Sequence, residues 1–152
     1  MSTFLLRGTT TTPARPREQF TTSVRHLQWR PPTFPAMPIS DLEEAIRTRP
    51  EGFLLVDVRE PDEFRAGNIP GAINIPLGTV SQAFALDAGE FEETYGSVKT
   101  DPGTPGLVVY CRSGVRSETA RKILKQQFGY NHTLNYEGSW LEWAAKNNLP
   151  YV

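Results

Sequence analysis

The 152-residue chain has one cysteine, Cys111. It therefore forms no internal disulfide, and its fold does not depend on oxidising surroundings. No apolar run approaches the roughly 20 residues needed to span a bilayer, which argues against a membrane-spanning helix. There are two histidines, His26 and His132, and neither has metal-ligand spacing with Cys111. Both are read as structural or solvent-facing, and no metal site is expected. No internal repeat occurs at the periods of solenoid or propeller folds. The net charge of −1 says little, but acids are scarce at the start of the chain. Through residue 40 there are five arginines (7, 15, 17, 25 and 30) against Glu18, net +4, and the remainder is net −5.

Residues 1–37 are rich in Thr, Ser, Arg and Pro. That is the composition of a mitochondrial transit peptide, and it predicts a disordered leader directing the protein to the matrix. The alternative is a disordered basic tail on a cytoplasmic protein, since Thr9–Thr12 and the prolines at 13, 16, 31, 32, 35 and 38 oppose packing. The arginines are scattered rather than clustered with aromatics, so nucleic acid is not the expected partner.

Residues 38–152 are enough for one layered α/β core. Ser40-Asp41-Leu42-Glu43 reads as a capping box opening a helix that stops by Pro50 and Gly52. Phe53–Val58 and Leu107–Tyr110 are short continuous apolar runs, as for strands buried on both faces. Ala72–Ile75 and His132–Leu134 read as two further short strands. Pro61–Phe64 reads as a helical turn with proline in its first position. Helical patterns recur over 79–86, 90–95, about 117–127 and 141–147, with Trp143 and Ala144 on an apolar side in the last. Strands alternating with helices predict an α/β fold, a central mostly parallel sheet flanked by helices. In such sheets ligands sit beyond the carboxyl ends of the strands, where Cys111 is delivered.

Cys111 opens a polar loop, Cys111-Arg112-Ser113-Gly114-Val115-Arg116, ahead of a helix predicted from Ser117. A free cysteine at a strand end is often a small buried hydrophobe. This loop points elsewhere. Gly114 lets successive amides converge on one point, Arg112 and Arg116 add positive charge, and the helix contributes its dipole. Such neighbours lower a thiol pKa from its ordinary value near 8.5. The competing use for either guanidinium is an ion pair with a surface acid such as Glu118. Asp57 is a carboxylate at a buried strand end and needs a partner, for which Arg59 is nearest.

Here the sequence resembles the single-domain rhodanese-like sulfurtransferases. Leu55–Phe64, Gly67–Pro76, Val109–Ser117 and Tyr136–Trp140 with Trp143 resemble four family signatures in order. Asn68 stands where His is common in that family, and Ser139 where Gly is common. The resemblance implies the rhodanese fold and a thiosulfate sulfurtransferase. Cys111 would be the nucleophile, and Arg112, Ser113, Gly114, Val115 and Arg116 would bind substrate. Asp57, Arg59, Ser117 and Trp140 would be structural near the site. A small anionic sulfur donor would charge Cys111 as a persulfide, and cyanide, glutathione or a protein thiol would accept the sulfur, with no metal or organic cofactor. Two rivals remain open. A cysteine-dependent phosphatase or arsenate reductase shares the anion loop, but four residues separate Cys111 from Arg116, one fewer than in those enzymes. A rhodanese-fold binding or sulfur-carrier module without turnover is the other.

Overall fold

The computed structural model describes residues 36–151. Nearly all of the expected leader, His26 included, lies outside the described residues. Four strands, β1 (Leu54–Asp57), β2 (Ile73–Asn74), β3 (Leu107–Tyr110) and β4 (Leu134–Asn135), form one sheet in the order β2-β1-β3-β4. Every pairing is parallel. Residues of β1 and β3 are all buried, which is why their sequences run apolar without alternation. The register sets Asp57 opposite Tyr110, so the two central strands end level. The loop after β3 leaves from that edge.

The helices are α1 (Ile39–Thr48), α2 (Pro61–Ala66), α3 (Val80–Ala85, entered through a 3₁₀ turn at Leu77–Thr79), α4 (Ala88–Tyr95), α5 (Val115–Phe128) and α6 (Ser139–Asn147). Several boundaries differ from the sequence reading, with α4 and α6 each starting two residues earlier than expected. The Ser40–Glu43 box does not form, because α1 begins before Ser40. Pro38 is its N-cap, fixed in extended backbone, and its carbonyl accepts the Leu42 N–H at 3.1 Å. The helix predicted from Ser117 starts at Val115, with Gly114 as its N-cap. The last strand is shifted towards the C-terminus. The Thr133 amide and hydroxyl both turn back onto the Tyr130 carbonyl, so pairing with β3 begins only at Leu134.

Alternation along the strands divides the core. Leu54, Val56, Leu107, Val109 and Cys111 share one face and pack with Val80, Phe84 and Phe91, and with Ala120 and Leu124 of α5. Leu55, Asp57, Val108 and Tyr110 point the other way and are equally buried. Leu42 and Ala45 of α1 and Trp140, Trp143 and Ala144 of α6 are also buried, outside the first cluster. Ala36 makes a parallel bridge to Asn135, and the Met37 N–H donates to the Asn135 carbonyl at 2.9 Å. Met37 is 2% exposed. The last two residues of the segment read as leader thus run along the outer edge of β4.

Candidate active site

Because Cys111 falls two residues after Val109, its side chain points to the sheet face covered by α5. Its sulfur meets the start of that helix. Sγ accepts the Gly114 N–H at 3.0 Å, the Ser117 N–H at 3.4 Å and the Ser117 hydroxyl at 3.4 Å. Burial raises the thiol pKa, but the hydrogen bonds from the Ser117 side chain and from the Ser117, Gly114 and Ser113 amides outweigh it. The net pKa is lowered. Ser117, expected to be structural near the site, touches the sulfur directly. Gly114 is required twice over: its φ is 96°, and a Cβ there would stand 2.6 Å from the Glu137 carbonyl oxygen.

The loop is held from below by the start of α6. The Ser139 hydroxyl accepts the Cys111 N–H at 3.1 Å and donates to the Tyr136 carbonyl at 2.8 Å. Trp140 N–H donates to the Cys111 carbonyl at 2.9 Å, and Leu141 N–H to the Arg112 carbonyl at 3.1 Å. Helix-end donors that would otherwise lack partners are thereby satisfied by the loop. Ser139 does this at φ 55°, a left-handed conformation that glycine adopts more readily. Ser139 was noticed in the sequence only as a departure at a turn.

The arginines are arranged differently from the sequence expectation. Arg116 does not face the sulfur with a free guanidinium. It forms a two-pronged ion pair with Glu63 of α2, at 2.8 and 3.0 Å. The Arg116 hydrogen bonds, opposed by burial, hold the Glu63 carboxyl at about 2. Glu118, the acid considered as a partner, pairs with Arg121 instead. Arg112 is exposed, with its guanidinium 3.4 Å from the Tyr151 carbonyl. Ser113 and Val115 are also exposed.

Asp57 and Arg59 do come together. Arg59 Nη2 lies 2.7 Å from Asp57 Oδ2 and 2.6 Å from the Gly67 carbonyl, with both side chains fully buried. The guanidinium sits 5.0 Å from the centre of the Trp140 ring. Asn74 Nδ2 caps the main-chain carbonyls of both Asp57 and Arg59. This network joins β1, the Gly67 turn and α6 beneath the loop.

On the β4 side of the loop is an open groove of about 510 Å³, walled by Ser113–Val115, by Glu118 and Thr119 of α5, and by Asn135 and Glu137. Asn135 Nδ2 donates to the Gly114 carbonyl at 3.2 Å and to Glu118 Oε1 at 3.3 Å. Its Oδ1 is buried with no partner among the described residues. Glu63 and Asn135 were missed by sequence reasoning. They reach the loop only through the strand order, and no local pattern marks them.

The sequence matches the rhodanese-like domain family over residues 39–146. The chain belongs to that family. This rhodanese-like domain is 46% identical over 113 residues to a Schizosaccharomyces pombe protein provisionally named a mitochondrial thiosulfate sulfurtransferase, covering 71% of this chain and 78% of the relative. It is 38% identical over 105 residues to the thiosulfate:glutathione sulfurtransferase of Saccharomyces cerevisiae, covering 69% and 74%. Among solved structures, a human single-domain sulfurtransferase superposes with a TM-score of 0.68 at 31% identity, covering 74% of this chain and 97% of that one.

Proposed function

We propose that this rhodanese-like protein is a thiosulfate sulfurtransferase that works through a persulfide on Cys111. The observation that carries the reading is the sulfur's setting: three donors from Gly114 and Ser117 converge on Sγ and lower its pKa. The Cys111 thiolate attacks the outer sulfur of thiosulfate. The bond between that sulfur and the sulfonyl sulfur breaks, sulfite leaves with the electron pair, and Cys111 carries a persulfide. An acceptor thiolate or cyanide then attacks the outer sulfur and expels the Cys111 thiolate. Two displacements through a covalent intermediate replace one difficult transfer. The loop amides from Ser113 to Ser117 stabilise the anion at each stage, in a site that excludes bulk water. Arg112, exposed at the loop, is the charge that meets the incoming dianion. Arg116 contributes as half of its ion pair with Glu63, steadying the first turn of α5 under the sulfur.

The basic, acid-poor start of the chain supports a mitochondrial location, as does the mitochondrial name of the fission-yeast relative. The six-residue loop and the engagement of Arg116 by Glu63 weigh against phosphatase chemistry. The test is mass spectrometry after incubation with thiosulfate. Cys111 is expected to gain one sulfur, removable by cyanide or thiol, and Cys111→Ser to fold normally with no gain and no turnover. Normal thiosulfate turnover by that variant would overturn the assignment. Charging without turnover across a panel of acceptors would identify a carrier in place of an enzyme.

A further inference from the structure

The loop's two guanidiniums are not equivalent. Arg112 is exposed and has no carboxylate partner among the described residues; it meets the Tyr151 carbonyl at 3.4 Å. Arg116 gives an N–H to each oxygen of the Glu63 carboxylate, so its charge is cancelled beside the loop. The pair is at the surface, with Arg116 34% and Glu63 26% exposed. Arg116 nevertheless stands close to the chemistry. It precedes Ser117, whose amide and hydroxyl both donate to Sγ. Its pKa is raised first by the hydrogen bonds to Glu63, against burial, and then by nearby charges that include the Cys111 thiolate.

The carboxylate does not depend on the arginine for its place. Glu63 is the third residue of α2, and its Oε1 also accepts the Glu60 N–H at 2.9 Å, closing the start of that helix. With a pKa of about 2, it stays ionised at neutral pH. The fold thus sets a permanent anion against one of the two cations of the loop.

We propose that Glu63 is a specificity-determining residue: by cancelling Arg116 it limits how strongly the Cys111 loop favours a doubly charged sulfur donor over a singly charged one. The proposal rests on the persulfide reading above. With Arg116 paired, the loop offers an incoming anion one uncancelled guanidinium, that of Arg112. With Arg116 unpaired, it would offer two. The attraction scales with the charge of the donor, so a second cation helps a dianion more than a monoanion of the same S–S chemistry. Loss of Arg116 alone would leave the Glu63 carboxylate bare beside the loop, and a dianion would be repelled more. A pair that served only to tie α2 to α5 would act differently: losing either partner would slow both donors alike.

The test measures kcat/KM for the charging of Cys111 in the full-length protein, with thiosulfate and with methanethiosulfonate, a monoanion. In both, the Cys111 thiolate attacks the outer sulfur and the donor S–S bond breaks. Sulfite or methanesulfinate leaves with the electron pair. Glu63→Gln is expected to raise the thiosulfate value about three-fold or more, and the ratio of thiosulfate to methanethiosulfonate about two-fold. Arg116→Gln is expected to lower that ratio. The double variant is expected to restore the wild-type ratio, because the pair is neutral as a unit. Glu63→Asp keeps the charge and is expected to keep the ratio. An unchanged ratio in Glu63→Gln, or a double variant with the low ratio of Arg116→Gln, overturns the proposal and leaves the persulfide reading intact. Failure of both donors to charge the wild type overturns both.

Discussion

Ser117 gives the sulfur of Cys111 two hydrogen bonds, one from the amide and one from the hydroxyl. Ser117→Ala removes only the hydroxyl and leaves the helix backbone in place. The Cys111 pKa is therefore expected to rise. The sign follows from the charge: a donor to sulfur favours the thiolate, so its loss favours the thiol. The pH profile of alkylation by iodoacetamide measures this, with its midpoint moving to higher pH in the variant. At this scale much was legible in the sequence. Cys111, Gly114 and the need to pair Asp57 with Arg59 follow from short spacings and from the cost of a buried charge. The direction of the Arg116 side chain was not legible. It depends on Glu63, which is remote in the chain and reaches the loop through tertiary packing. The source of the thiol's lowered pKa differs accordingly, with hydrogen bonds from Ser117 and main-chain amides leading.

At the scale of elements, the Glu63–Arg116 pair ties α2 to the first turn of α5. Glu63 also accepts the Glu60 N–H at 2.9 Å, so one carboxylate closes its own helix start and anchors a second helix. Its pKa falls from 4.5 to about 2 on folding. A depressed carboxyl pKa stabilises the fold above the unfolded value, and that stability is lost as pH falls through the folded one. Wild-type protein is therefore expected to exceed Glu63→Gln in stability at neutral pH. The advantage should decline below about 4.5 and vanish near 2. Urea denaturation of both proteins across that range measures it, and a pH-independent gap would refute the account. Strands and helices were readable where apolar runs or proline set them, as at Leu107–Tyr110 and Pro61. The start of α1 was not, because Pro38 displaced a good side-chain capping pattern by backbone geometry. The start of α5 was set by the left-handed turn at Gly114, which has no hydrophobic signature.

For the whole molecule, the parallel sheet places the carboxyl ends of its strands along one edge, and the reactive loop leaves from an inner position there. That location follows from the fold class alone. The separation of acidic groove from paired arginine does not. It needs the strand order, which puts α2 and β4 on opposite sides of β3 and is not encoded by any one segment. Composition alone also could not show the pairing of the two residues ahead of Pro38. Ala36 and Met37 continue a proline-rich stretch in sequence, yet they add to the outer edge of the sheet. A chain beginning at Pro38 is expected to melt at lower temperature than one beginning at Ala36. Burial of the Met37 side chain alone is worth about 1.5–3 kcal/mol. Calorimetry of the two truncations would measure the difference, and equal melting temperatures would show the edge contact to be dispensable.

That edge contact also limits any maturation of the protein. A peptidase that trimmed the N-terminus is expected to cut ahead of Ala36, since a cut behind Met37 would uncover the flank of β4 that these two residues occupy.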